Sequence, residues 1–156
     1  MASSVSDLIG PGQRLTIDSS GLIAHLARDE AATSVATEVV DGLIASGRND
    51  AVISAITASE LLARPVAAGR SAVDRLLGFF DSLDDLQIRS VDFLVAAEAA
   101  RIRAATGIPL PDALVVATAV LTSSHALVTN DRRMAAAARQ AVPELTVVLL
   151  SEVAAV

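Results

Sequence analysis

Five short runs with strand character are separated by stretches of helical pattern, and this alternation restricts the fold more than any other feature of the chain. The runs are residues 14–17, Ala51–Ser54, Leu86–Arg89, Ala126–Thr129 and 145–150. Between them lie a helix opening near Gly21, a helix over 33–45 that stops at Gly47, and a helix start at Thr57 that Pro65 interrupts. Further helices are expected over 70–83, 91–106, 111–122 and Arg132–Ala141. Strands returning through helices must run parallel, and their apolar character fits a sheet buried on both faces. The expected architecture is one α/β domain over residues 14–156 behind a flexible N-terminal lead-in, residues 1–13, which is rich in Ser, Gly and Pro. The length of 156 residues suffices for a single core.

Ligands of open parallel sheets bind beyond the carboxyl ends of the strands. Four carboxylates fall there. Asp18 follows the first strand and Asp131 the fourth, Glu60 is expected in the first turn after the second strand, and Asp112 opens its helix beside Pro111. A length check supports the last pair: a helix over 111–122 carries the chain roughly 18 Å away. The strand from Ala126 returns it by about 13–17 Å. Carboxylates on one rim repel each other and hold protons more tightly unless a cation intervenes. Mg²⁺ suits such a place, because it takes one or two carboxylates and retains water. Metal-assisted hydrolysis of a phosphodiester is the chemistry to expect.

Each carboxylate also has a plain structural reading. Thr57-x-x-Glu60 matches a capping box, Asp112 suits a helix dipole worth only about 0.3–1 kcal/mol, and Asn130-Asp131 suits a turn and cap. Asp18 is the hardest to explain away, since Ser19 or Ser20 can cap the following helix in its place.

Several function classes are excluded by composition. The chain contains no cysteine, and all twelve of its basic residues are arginine. Thiolate metal sites, P-loop phosphate binding and Schiff-base chemistry are thereby removed. A net charge of −6 argues against a general nucleic-acid coat protein. A phosphorylated receiver needs an acidic pair after the first strand and a lysine after the last, whereas Asp18 is followed by two serines. A haloacid-dehalogenase-type phosphatase needs an aspartate where Ser20 stands. No apolar run approaches the ~20 residues of a membrane span, and the N-terminus lacks the pattern of a signal peptide, so a cytoplasmic protein is expected.

The segments around the four carboxylates resemble the PIN-domain ribonucleases, and in particular the VapC toxins of type II toxin–antitoxin systems. They are Leu15-Thr16-Ile17-Asp18-Ser19-Ser20, Ile53-Ser54-Ala55-Ile56-Thr57-Ala58-Ser59-Glu60-Leu61, Pro111-Asp112-Ala113-Leu114-Val115-Val116-Ala117-Thr118-Ala119 and Leu127-Val128-Thr129-Asn130-Asp131. The resemblance implies a three-layer α/β/α sandwich with a mostly parallel sheet of four or five strands. It implies a Mg²⁺-dependent endoribonuclease, with Mn²⁺ as a substitute, that cuts RNA through an activated water and arrests translation. Asp18 and Asp112 would be the principal metal ligands, Asp131 would complete the metal shell, and Glu60 would position metal or water. Ser20 and Thr129 match supporting polar positions. A VapB-type antitoxin and a homodimer are the implied partners. A housekeeping PIN nuclease of RNA maturation and a catalytically silent PIN-like binding module are the alternatives.

Outside these segments, His25 and His125 have no second ligand at helical spacing and are expected at the surface or at caps. Phe79 and Phe80 are expected to pack in the core for the most part, with one of the two available to a partner. Arg132 and Arg133 are candidates for contact with RNA phosphates, a solvated helix start being the equal alternative.

Overall fold

A computed structural model describes residues 4–28 and 31–155. Its five strands are β1 (Leu15–Ile17), β2 (Ala51–Ser54), β3 (Leu86–Arg89), β4 (Ala126–Thr129) and β5 (Thr146–Leu149). All pair in parallel in the order β3-β2-β1-β4-β5. The chain builds outward from β1 through β2 to β3, then crosses back to β4 and continues to β5. The order reverses between β1 and β4, where parallel sheets open a crevice at their carboxyl ends. Ile17 pairs with Val128 at that point.

Helices cover both faces, as expected for strands that are apolar throughout. On one face lie α1 (Val5–Leu8), α2 (Ser19–Ala27), α3 (Thr33–Thr37), α4 (Ala55–Ala68) and α5 (Arg70–Asp81). Their apolar residues form one core with Leu15, Ile17, Ile53 and Val128. On the other face α6 (Phe93–Thr106), α7 (Leu110–Leu121) and α8 (Arg132–Ala141) form a second core around Leu127. Seven consecutive residues of α7, Ala113 to Ala119, are buried. A helix apolar all round has no solvent face to offer, so α7 sits between α6 and the sheet.

Several expectations are corrected. The described part of the N-terminal lead-in is packed, not loose: Val5 and Ile9 are fully buried, and the Asn49 amide donates to the carbonyls of Gly10 and Gln13. α4 runs through Pro65 and ends at Gly69, whose φ is +115°. Proline removes one helical hydrogen bond, to the Leu61 carbonyl. The segment from Ala63 onward is largely exposed. α3 continues as a π-helical stretch, Glu38–Ala45, before Gly47 turns the chain at φ +74°. A short final helix, α9 (Leu150–Val153), follows β5.

His25 is buried, not superficial. It lies 3.3 Å from Thr37 Oγ1, its ring stacks on Phe79 at 5.9 Å, and burial lowers its pKa. Phe80 is buried, Phe79 is half-buried against the same core and the His25 ring, and the most exposed phenylalanine is Phe93.

Candidate active site

The carboxyl end of β1 delivers Asp18 into the crevice, with only 2% of its surface exposed. Asp18 itself caps α2, accepting the Gly21 N–H at 2.9 Å. Ser20 Oγ lies 2.9 and 2.8 Å from its two carboxylate oxygens, and Thr129 Oγ1 donates to Oδ2 at 2.8 Å. The same two hydroxyls accept backbone N–H groups of the β4–α8 loop, Asn130 to Ser20 at 2.8 Å and Asp131 to Thr129 at 2.9 Å. A hydroxyl carries one proton. Each proton is therefore directed at Asp18, and the two hydroxyls tie Asp18 to the loop that carries Asp131.

Asp131 caps α8, its Oδ1 accepting from the N–H groups of Arg133 at 2.7 Å and Met134 at 3.0 Å. Its Oδ2 has no donor among the described residues. Asp112 lies in the first turn of α7, half-buried, and no described residue donates to its carboxylate. Glu60 stands exposed on the rim and accepts a hydrogen bond from Ser19.

Two sequence readings are reversed here. α4 begins at Ala55 with Ser54 as its cap, so Glu60 lies in the second turn and closes no capping box. Asp18, expected to be free of capping because two serines follow it, is the cap. The serine hydroxyls are instead occupied with Asp18 and Glu60.

Electrostatics bind the four acids into one group. Burial pushes the Asp18 carboxyl up from its ordinary 3.8 to about 6 against its hydrogen-bond donors, and the charge of Asp131 adds to the rise. Asp112 is raised by burial and by the charges of Asp131 and Glu60, and among the described residues Arg133 offsets this. The neighbourhood is short of positive charge.

The donors available are carboxylate and hydroxyl oxygens, the set that hard divalent cations take. Among the described residues no three acidic or histidine side chains are gathered closely enough to hold a metal ion. By chemistry alone, carboxylate and hydroxyl oxygens suit Mg²⁺ or Mn²⁺, which retain water and need few protein ligands, better than structural zinc, which takes nitrogen and sulfur. A carboxylate offers about four acceptor positions. Asp18 has committed at least three of these, whereas Asp112 has committed none to a described donor.

Two supporting residues escape sequence reasoning. Ser19 holds Glu60, and Gly21 lets α2 approach the sheet. A Cβ at Gly21 would meet Ile17 Cγ2 at 3.0 Å and Asp18 Oδ1 and the Val128 carbonyl at 3.4 Å. The available signal was the glycine itself, since glycine inside a helix costs roughly 1 kcal/mol relative to alanine and needs a packing reason.

The chain matches the family model described as PIN domain over residues 15–140. No curated protein matches it in sequence. Among solved structures it is similar to FitAcB from Neisseria gonorrhoeae, with 21% identity over 88% of this chain and 98% of that one and a TM-score of 0.67. It is also similar to a toxin-antitoxin complex from Klebsiella pneumoniae, with 19% identity, 85% and 95% coverage and a TM-score of 0.63. VapBC2 from Rickettsia felis, bound to a DNA fragment from its promoter, matches with 16% identity, 86% and 96% coverage and a TM-score of 0.59. At these identities the likeness speaks for the fold.

Proposed function

The chain belongs to the PIN domain family, and from that membership we propose that it is a divalent-metal-dependent endoribonuclease, the toxin of a toxin–antitoxin pair acting in the cytoplasm. The observation that carries this reading is the electrostatic coupling of Asp18, Asp112, Asp131 and Glu60 at the reversal of strand order, which Arg133 offsets at Asp112 among the described residues.

In this reading Asp112 and Asp131 would hold a Mg²⁺ or Mn²⁺ ion, with Asp18 assisting. Such an ion supplies Lewis acidity toward a phosphodiester oxygen and a more acidic water. Ser20 and Thr129 keep the Asp18 carboxylate oriented. Glu60, steadied by Ser19, is the exposed carboxylate that orients the attacking water and accepts its proton.

An antitoxin is the proposed partner, and two observations support it. The Klebsiella neighbour is a toxin-antitoxin complex. A groove lined by Ile23, Leu26, Leu61, Pro65 and Leu76 also runs between α2 and α4 beside Glu60, offering an apolar seat for an antitoxin segment. A homodimer is proposed from the family alone.

The test is paired expression of the wild type and Asp112→Asn, with growth followed and cellular RNA mapped for cut ends. Growth arrest and new RNA ends in the wild type alone are expected. Intact RNA and equal growth in both would sink the reading, while cut RNA without arrest would point to a maturation nuclease.

A further inference from the structure

Arg132 and Arg133 follow Asp131 directly, and the helix they open sends them to different neighbours. Residues seven apart share a face of α8. Arg132 lies on the face of Arg139, whose guanidinium pairs with Glu152 of α9 at 2.7 Å. The charge of Arg132 also acts on Glu152. Arg133 lies about 100° round the helix, on the face of Gln140, whose amide donates to the Ala105 carbonyl of α6 at 3.1 Å. That face is turned to the layer of α6 and α7, and α7 carries Asp112 in its first turn.

The root of the Arg133 side chain is fixed, because the Asp131 carboxylate holds its backbone N–H at 2.7 Å. Its head is not: the residue is exposed, and no described residue accepts from its guanidinium. The side chain thus stands at the rim of the acidic group without a committed partner. RNA brings one negative charge per nucleotide to a site already crowded with carboxylates, so a cation at the rim is needed to seat it. The planar guanidinium fork matches two phosphate oxygens at once.

We infer that Arg133 is the residue that seats an RNA phosphate beside Asp112, and that Arg132 belongs to the contact between α8 and α9. The inference rests on the nuclease reading above and separates two arginines that the sequence leaves equal.

The test compares the wild type with Arg133→Ala, Arg133→Lys and Arg132→Ala on a fluorescein-labelled single-stranded RNA in Mg²⁺. Where the wild type cuts, Arg133→Ala should raise KM by about tenfold or more, the loss expected for one charge-assisted hydrogen bond. Its kcat should change less, and the salt dependence of binding should become shallower by about 0.7 in log–log slope. Arg133→Lys should recover part of the loss, and Arg132→Ala should lose several-fold less. An unchanged KM in Arg133→Ala, or an equal loss in Arg132→Ala, overturns the inference and leaves the nuclease reading standing.

Where the wild type does not cut, the RNA stays intact and its fluorescence anisotropy reports binding. Binding lost in Arg133→Ala then upholds the inference while the nuclease reading falls. No binding by the wild type, or binding indifferent to Arg133, overturns the inference as well.

Discussion

Replacing Asp18 by asparagine should remove a large part of the pH dependence of stability in the metal-free protein. The Asp18 carboxyl ionises near 3.8 when unfolded and near 6 when folded. The unfolded chain loses this proton first, so stability is greatest below 3.8 and falls as pH rises through 6. The total loss is roughly 3 kcal/mol. Roughly half of it is gone by pH 5, and most of the remainder goes between pH 5 and 7.5. Solvent screening removes little of this, because only 2% of the residue is exposed. Urea unfolding at pH 5 and pH 7.5 in the presence of a chelator measures the difference directly. The wild type should lose about 1 kcal/mol more than Asp18→Asn across that interval. Saturating Mg²⁺ should shrink the loss in the wild type by favouring the ionised carboxylate. Parallel curves for the two proteins in chelator would refute the claim that burial of Asp18, uncompensated by any cation, governs the site.

Thr129→Val removes a donor to Asp18 and leaves the Asp131 N–H without its acceptor. A stability loss of about 1–3 kcal/mol is expected by denaturant unfolding, whereas Thr129→Ser should retain most of the stability. Gly21→Ala forces a methyl group against Ile17 and the β4 backbone, and should cost about 1–3 kcal/mol; a melting temperature equal to that of the wild type would show that α2 can move aside. Asp112→Asn removes a carboxylate whose pKa is raised by its neighbours. In chelator it should melt at the same temperature as the wild type or higher, yet bind Mn²⁺ at least tenfold more weakly by calorimetry. Unchanged Mn²⁺ affinity would remove Asp112 from the metal site.

The strand–helix alternation determined the parallel α/β fold by itself, because strand runs and helix lengths are local properties. The starts and ends of β2, β3, β4 and α8 were legible to the residue. So was the placement of Asp18 and Asp131 just after the carboxyl ends of β1 and β4, since it follows from where strands end. Less was legible where a residue's role depends on what packs against it. The capping of α2 by Asp18 rests on the Gly21 N–H and on hydroxyls drawn in by the β4–α8 loop, 110 residues away along the chain.

Burial of Val5 and Ile9 likewise depends on contacts with distant elements, which a lead-in rich in Ser, Gly and Pro does not announce. Four carboxylates on a rim could be read from the chain, but their depth could not. Only the tertiary structure decided that Asp18 is buried, Asp112 half-buried with no described donor and Glu60 exposed, because burial and hydrogen-bond partners are set by segments that meet only when the sheet has formed.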